Sequence, residues 1–156
     1  MDGRCVKIAI VNLKTNEALA LLKREKFYED NKSYDFPLQG NALSFEIFSH
    51  KPDRMSFLLD ISRKSFSLKK CTFQHRVYTS IILARLDLGD NRHRNPDNAE
   101  IQGPHLHVYC EGFGDKWAYP LSSEKFTNPE DMFLTLEQFM NYCNIVKKPL
   151  INRVLF

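Results

Sequence analysis

Three segments of the chain alternate apolar and polar residues with a period of two. They are Leu43–Ile47, Met55–Ile61 and Cys71–Val77. Side chains of a β-strand point alternately to the two faces of a sheet, so the pattern predicts three half-buried strands. The polar connections between them are short, which favours antiparallel pairing over the helical crossovers that parallel strands need. The sequence therefore predicts an antiparallel sheet with one apolar face.

Further apolar runs extend this predicted sheet. They are Ser80–Leu86, His105–Cys110 and the shorter Trp117–Leu121. We expect five to seven strands in total, as an open sheet or one curled into a barrel.

A helix is predicted near each end of the chain. The first begins at a cap formed by Thr15 or Asn16 and continues to about Tyr28. The second begins at Asn128, a good N-cap, which Pro129 follows in the first helical turn. Its apolar stripe, at three- and four-residue spacing, consists of Met132, Leu136, Phe139, Met140 and Cys143. With 156 residues, no internal repeat and no linker, we expect one α+β domain spanning residues 1–156.

The charged residues are unevenly distributed, although the formal net charge is only +3. Between Ile61 and Leu86 there are six cationic residues and no acidic residue, and between Gln138 and Phe156 there are three and again none. The rest of the chain carries six more acidic than basic residues. This segregation predicts a basic surface suited to an anionic partner, and an acidic surface elsewhere.

Membrane and disulfide-rich classes are excluded by the same sequence. No apolar run approaches the ~20 residues of a membrane-spanning helix, and Met1–Leu13 lacks the pattern of a cleavable signal peptide. The four cysteines are scattered without a Cys-x-x-Cys pair, which is typical of reduced thiols. We therefore expect a cytoplasmic protein with no membrane partner.

The residues with the most chemical potential lie between Arg85 and Trp117. Three of the five histidines of the chain fall within fifteen residues there, namely His93, His105 and His107. On a strand that begins at His105, the side chains of His105, His107 and Tyr109 share one face, and the apolar residues between them share the other. Since the apolar set is sufficient to bury its own face, we expect the histidine face to be the less buried one.

The preceding strand carries a similar pattern. Arg85 and Asp87 alternate with Leu86, so they share a face. If the two strands are neighbours, Arg85 and Asp87 lie beside the histidines and form one cluster with them.

Such a cluster suits RNA cleavage without a metal. A base must remove the 2′-hydroxyl proton, an acid must protonate the leaving oxygen, and cations must stabilise charge on the phosphate. Because histidine titrates near neutrality, His105 and His107 are the predicted acid and base, and His93 contributes from a loop. Asp87 is predicted to orient a histidine and Arg85 to stabilise the phosphate charge. The predicted RNA contacts are the cations Arg94, Lys116, Lys70 and Arg76 and the aromatic residues Tyr109 and Trp117.

The same residues also permit metal binding. Two imidazoles of a His-x-His strand lie on one side, with His93 or Asp87 as a third ligand and an open position for water. The spacing does not distinguish the two chemistries. The six nearby cations favour a polyanion, so we expect RNA as the partner and no cofactor.

Structural roles compete with these assignments. His75 shares a face with Cys71, Phe73 and Val77, which is typical of a core histidine. The basic stripe around Lys70 and Arg76 is typical of a solvated strand face.

Five segments of the chain together resemble an uncharacterised family of small proteins from bacteria and their phages. They are Phe57–Arg63, Cys71–Arg76, His93–Asp97, Pro104–Tyr109 and Glu111–Ala118. The similarity covers roughly residues 15 to 145. The family pattern usually has glycine after Asp97, where this chain has Asn98; asparagine also tolerates left-handed backbone angles, so we expect the turn to be retained.

A shorter match resembles small toxins of toxin–antitoxin modules, in which an Arg-x-Asp strand precedes a His-bearing loop and a Pro-His-x-His strand. The matching residues are Arg85, Asp87, His93, Pro104, His105 and His107. This resemblance implies an RNA-directed toxin activity and an antitoxin partner. We expect that partner to dock on the basic surface through acidic residues.

The expected function is a small endoribonuclease of toxin or anti-phage type. The main alternative is a phage- or plasmid-encoded inhibitor that binds a host protein or nucleoprotein complex through the basic surface. Such an inhibitor would not need the histidines. The third candidate function is a metal-dependent hydrolase with histidine ligands.

Overall fold

The structure, a computed structural model, describes residues 12–154. Its helices are α1 (Thr15–Lys23) and α2 (Met132–Tyr142). The strands of the first half are β1 (Lys26–Phe27), β2 (Ser33–Asp35), β3 (Ala42–Ser49), β4 (Ser56–Ser62), β5 (Cys71–Val77) and β6 (Ile81–Leu88). Those of the second half are β7 (Arg92–Arg94), β8 (Glu100–Gln102), β9 (His105–Val108), β10 (Ala118–Pro120), β11 (Ile145–Lys147) and β12 (Leu150–Asn152).

The main sheet has eight strands in the order β10-β9-β6-β5-β4-β3-β1-β11. All neighbours are antiparallel except the edge pair β1 and β11, which is parallel. The sheet is open and does not close into a barrel. The α+β fold, the antiparallel pairing and a helix near each end are thus confirmed. The main sheet has one strand more than the predicted maximum of seven, and four further strands form two two-stranded sheets. The strands that were not predicted have only two or three residues each, too few to show alternation.

One face of the sheet forms the apolar core. On β4 and β5 the buried positions follow the predicted alternation, and they include Phe57, Leu59, Ile61 and Phe73. Helix α1 packs against β6 and α2 against β5. The Phe139 ring of α2 lies 6.0 Å from the Phe73 ring. Burial of the α2 stripe confirms that it faces the sheet.

Both helix boundaries differ from the predicted ones. Helix α1 stops at Lys23 because Arg24 adopts an extended conformation and leads into β1, so the predicted end at Tyr28 was wrong. Helix α2 starts at Met132, and Asp131 is its cap: its carboxylate accepts a hydrogen bond from the Leu134 amide at 3.0 Å. The predicted start at Asn128 was therefore wrong.

A fully buried lysine links the C-terminal ends of the two helices. Nζ of Lys26 donates to the carbonyls of Leu22 at 2.8 Å, Arg24 at 2.9 Å and Cys143 at 2.8 Å. Burial lowers the pKa of this lysine to about 8. The three carbonyls replace the water that the ammonium group loses.

The opposite face of the sheet is polar. Asp60 of β4 accepts hydrogen bonds from Ser44, Gln74 and Arg76 on the flanking strands. Further along, Thr72 of β5 donates to Asp87 of β6 at 3.0 Å. The hairpin of β7 and β8 and the segment 110–117 lie over this end of the face. No described helix has the length and hydropathy of a membrane span.

Candidate functional site

Pairing of β6 with β9 brings the predicted cluster together. Arg85 lies opposite His107, and Asp87 lies opposite His105. Because directly opposed residues of an antiparallel pair point to the same face, all four side chains project from the polar face. This juxtaposition was predicted from the alternation of the two segments.

His93 reaches the same place from a separate element. It lies on β7, whose partner in a two-stranded sheet is β8. The side-chain amide of Asn95, which follows β7, bonds both the amide and the carbonyl of Ala118 at 2.9 Å. The hairpin is thereby attached to β10. The His93 ring stacks on the His105 ring with a centroid distance of 5.4 Å.

Each histidine of the cluster has one ring nitrogen within hydrogen-bond distance of a backbone carbonyl. Nδ1 of His105 lies 2.8 Å from the Gly103 oxygen, and Nδ1 of His107 lies 2.7 Å from the Asp115 oxygen. Nε2 of His93 lies 2.8 Å from the Lys116 oxygen. A carbonyl only accepts hydrogen bonds, so in each ring this nitrogen carries the hydrogen and donates. The other nitrogen of a neutral ring then has a free lone pair.

The three rings converge on one small volume. One ring nitrogen from each of His93, His105 and His107 lies within 4.8 Å of the others. Oδ2 of Asp87 lies 3.2 Å from Nε2 of His107 and 3.5 Å from Nε2 of His105. Ligands around a tetrahedral ion with bonds of 2.0–2.1 Å are about 3.4 Å apart. The donor types are those of a metal site, and the rings would have to close from a spacing of up to 4.8 Å to hold an ion.

Arg85 occupies the centre of a second set of contacts. Its guanidinium group bonds the carboxylates of Asp87 and Asp115 and lies 3.0 Å from Nε2 of His107. An ion bound by His107 would displace this last contact, and Arg85 would keep its two carboxylate partners. The sequence predicted Arg85 as a phosphate contact, but its charge is already neutralised locally.

The electrostatics keep the carboxylate of the cluster charged. Burial alone would raise the pKa of Asp87, but the Nε2 atoms of His105 and His107, which donate to the carboxylate when their rings are protonated, and the charge of Arg85 hold it well below its ordinary value. Burial opposes charge on His105, yet Asp87 and the Gly103 carbonyl outweigh it and raise the pKa of that imidazole. The site therefore contains a charged carboxylate, that of Asp87, next to the imidazole nitrogens of His105 and His107.

The predicted exposure of the histidine face was wrong. His105 is 2% exposed and His107 is fully buried. The reason is tertiary: His93 stacks over them, and Asp115 and Lys116 close the side of the site. Alternation also ends with β9 at Val108, so Tyr109 turns into the core, where its hydroxyl donates to the Leu13 carbonyl at 2.8 Å. This burial corrects the prediction that Tyr109 contacts a base.

The remaining predicted RNA contacts are dispersed. Lys70 lines a pocket beside the cluster. Arg76 instead pairs with Asp60 at 2.6 Å, and Arg94 pairs with Glu100 at 2.6 Å. The Lys116 side chain is exposed, while the Trp117 ring is half-buried against Phe113.

The pocket beside the cluster has a volume of about 470 Å³. His93 and His105 form one wall. Its basic lining residues are Lys64, Lys70 and Arg92, and Asp87 is its one acidic residue. The pocket is therefore suited to an anion that approaches the histidines.

Two residues of the site were missed by sequence reasoning. Asn95 was not selected as a site residue, because its two bonds to Ala118, 23 residues away, have no signal in the local sequence. Asp115 was not selected, since the sequence has no signal that brings residue 115 to Arg85 and His107. The neighbouring turn was predicted correctly: Asn98 has φ of 69°, the left-handed conformation.

The other two histidines lie outside the cluster. His75 is fully buried in the core and bonds the Leu58 carbonyl through Nδ1 at 3.1 Å, as expected for a core residue, while its Nε2 has no partner. His50 is exposed and stacks on Phe27. Among the described cysteines, Cys71, Cys110 and Cys143 are free, as predicted, and Cys5 lies outside the described residues.

Comparison with known proteins places the chain in a family but assigns it no activity. No curated protein and no solved structure gives a significant match. One family model, described as a family of unknown function, matches residues 13–145. The match includes the histidine cluster, the polar face and both helices. Because it spans most of the chain, the protein belongs to this family of unknown function, DUF6978.

Proposed function

We propose that the protein is a metal-dependent ribonuclease whose ion is bound by His93, His105 and His107. One observation carries the proposal: each ring donates one N–H to a backbone carbonyl, which leaves its other nitrogen free, and the three rings each have a nitrogen within 4.8 Å of the others. Histidine ligands of metal ions almost always have such a carbonyl or carboxylate partner, which sets the tautomer and orients the ring. Three imidazoles so arranged are ligands typical of zinc and other divalent transition metals.

Electrostatics support an ion at this position. Converging lone pairs repel one another, and the Asp87 carboxylate adds a negative charge beside two of them. A divalent cation removes both penalties at once. Asp87 would supply a carboxylate oxygen to such an ion or to a water bound to it.

An ion held this way supplies the chemistry of phosphodiester hydrolysis. A bound divalent ion would polarise a phosphoryl oxygen and would lower the pKa of a bound water to about 7. Lys64, Lys70 and Arg92 line the pocket in front of the histidines, where they attract the phosphate backbone. Of the six cations between residues 61 and 86, Lys64 and Lys70 line this pocket, which supports a polyanion such as RNA as the substrate.

Metal-free acid–base cleavage is the second candidate, and the contact between Asp87 and His105 favours it. This contact raises the pKa of His105 and suits an imidazolium acid. In-line cleavage, however, places base and acid on opposite sides of the phosphorus. Here all three rings instead have a nitrogen within 4.8 Å of the others, which suits a single ion better.

The toxin resemblance is compatible with either chemistry. A ribonuclease of this kind would arrest growth when expressed alone, and an acidic antitoxin would neutralise it by covering Lys64, Lys70 and Arg92. The arrest would require the histidines. A non-enzymatic inhibitor would require only the basic surface.

The deciding experiment measures metal content and RNA cleavage on the same preparations. We expect about one zinc or other divalent transition-metal ion per purified chain. Total RNA should be cleaved by this protein, protected after chelation with EDTA, and cleaved again when zinc or manganese is restored. The variant His105→Ala/His107→Ala should lose the ion, the cleavage and the growth arrest. His50→Ala is the matched control, because His50 is exposed and outside the cluster.

The two chemistries separate in this design. Cleavage that persists in EDTA but disappears in the double variant would favour acid–base catalysis and reject the metal mechanism. Growth arrest that persists in the folded double variant would exclude both ribonucleases. Circular dichroism establishes that each variant is folded.

A further inference from the structure

An exposed aromatic residue lies next to the basic pocket. Phe66, in the β4–β5 loop (residues 63–70), has a relative accessibility of 104%. A phenylalanine ring is normally withdrawn from water, because hydration of its apolar surface is unfavourable. Leu68 of the same loop is 68% exposed. The loop thus presents an apolar surface between basic residues.

The backbone of this loop is anchored on both sides of Phe66. Nε2 of Gln39 donates to the carbonyl of Ser65 at 3.2 Å and to that of Phe66 at 2.6 Å. The Arg63 guanidinium group donates to the Leu68 carbonyl at 3.1 Å. The Phe66 ring is therefore held out from a fixed backbone, which reduces the entropy lost when a ligand binds.

The residues that flank Phe66 line the pocket of the candidate site. Lys64 and Ser65 precede it, Lys70 follows it, and all three share that pocket with His93 and His105. Among the described residues, neither Lys64 nor Lys70 forms a salt bridge with a carboxylate. Their charges are available to a ligand.

We infer that the β4–β5 loop binds an unpaired nucleic-acid strand, with one base stacked on Phe66 and neighbouring phosphates held by Lys64, Lys70 and Arg92. An aromatic platform beside a basic groove is the arrangement by which proteins bind single strands. A duplex keeps its base faces within its own stack, so the loop selects unpaired strands. The inference deepens the proposed ribonuclease and rests on it for the bond that is cleaved; the binding itself needs no ion.

The test is a binding measurement with the full chain in EDTA, so that cleavage cannot interfere. Fluorescence anisotropy follows a labelled single-stranded RNA, the matching DNA strand and the RNA duplex. We expect the duplex to bind more weakly than either single strand. Phe66→Ala should raise the Kd for single strands about 5- to 150-fold, the equivalent of ~1–3 kcal/mol for base–aromatic stacking. Phe66→Trp should restore binding.

Matched variants separate base stacking on Phe66 from the loss of any exposed ring or of any surface charge. Tyr119→Ala removes another exposed ring, which lies on β10 outside the pocket, and should leave the Kd unchanged. An abasic strand carries phosphates without bases, so Phe66→Ala should not affect its binding. Lys64→Ala/Lys70→Ala should reduce the salt dependence of log Kd by about 1.4, since each phosphate contact to a single strand contributes about 0.7. Lys147→Ala on β11, at the far edge of the sheet, is the charge control.

An unchanged Kd in Phe66→Ala, or equal affinity for duplex and single strand, would overturn the inference. The inference would also be overturned if Phe66→Ala weakened the binding of the abasic strand as much as that of the normal strand. The ring would then stabilise the loop and would not stack on a base. The wild type can bind single-stranded RNA more tightly than single-stranded DNA, or bind both equally. Either result supports binding of an unpaired strand by the β4–β5 loop. Failure of the proposed function is distinguishable from failure of this inference. If single strands bind with an affinity that depends on Phe66 but RNA is not cleaved, the ribonuclease proposal is rejected and the binding site is retained.

Discussion

The side-chain amide of Asn95 forms two hydrogen bonds with the backbone of Ala118. Nδ2 donates to the carbonyl, and Oδ1 accepts from the amide, both at 2.9 Å. Ala118 starts β10 at the edge of the main sheet, and Asn95 follows β7, which carries His93. Together with the bond between His93 Nε2 and the Lys116 carbonyl, this pair holds His93 over His105 and His107.

Asn95→Ala should therefore weaken metal binding although it removes no ligand. The loss of both bonds leaves buried polar groups of Ala118 unsatisfied, at ~1–3 kcal/mol for each group, and releases the hairpin. We expect a lower free energy of unfolding and a zinc affinity reduced at least 10-fold. Urea titration and competition with a chelating dye measure the two effects.

Arg94→Ala is the control for the Asn95 variant. It removes only a surface contact with Glu100 on the same hairpin, and such pairs contribute little to stability. A zinc affinity reduced equally in both variants would show that the contact between Asn95 and Ala118 does not position His93.

Asp87→Asn should lower zinc affinity about 10- to 100-fold, the usual cost of losing a carboxylate that supports a metal site. The substitution keeps the shape of the side chain and removes the negative charge beside two histidines. Competition with a chelating dye gives the affinity. Asp60→Asn is the matched variant, since Asp60 is also a half-buried aspartate of the polar face that pairs with an arginine. If Asp60→Asn weakened zinc binding as much as Asp87→Asn, the assignment of Asp87 to the site would be wrong.

His75 should make the protein less stable as the pH falls. Burial and the nearby Lys26 charge lower its pKa to about 3, whereas the unfolded chain titrates near 6.5. Between these values the unfolded state binds more protons, so the free energy of unfolding decreases from pH 6.5 towards pH 3. The maximum slope is about 1.4 kcal/mol per pH unit.

Urea titrations between pH 7 and pH 4.5 test this dependence. His75→Phe retains a ring that stacks on Phe57 and should have a shallower acid slope than the wild type. His50→Phe should keep the wild-type slope. Equal slopes for His75→Phe and the wild type would assign the acid sensitivity to other groups.

Lys26→Met should destabilise the fold by roughly 2–4 kcal/mol, because three helix-terminal carbonyls lose their shared donor. Because methionine fills a similar volume, the change in the free energy of unfolding reports the lost hydrogen bonds and not a cavity. Lys23→Met is the control, since Lys23 is exposed in the last turn of α1. Equal unfolding midpoints for the two variants would mean that the carbonyls find other partners.

Much of the fold and half of the site follow from local sequence patterns. Alternation over Met55–Ile61 and Cys71–Val77 identified the central strands, because a strand with one buried face must alternate. The same rule placed Arg85 and Asp87 on the face of His105 and His107, and the left-handed turn at Asn98 followed from the tolerance of asparagine for positive φ.

The rest depends on contacts between residues distant in the chain. The burial of His105 and His107 results from the hairpin and from residues 115–116, which lie over a face that alternation alone marks as exposed. Tyr109 entered the core because β9 ended one residue earlier, and Asp131 replaced Asn128 as the cap of α2. The sequence by itself determined which side chains share the polar face, since a strand has only two faces. Only the tertiary structure decided that three imidazoles, each oriented by a carbonyl from another segment, meet at one point, because hydrogen bonds such as those between Asn95 and Ala118 have no local signature.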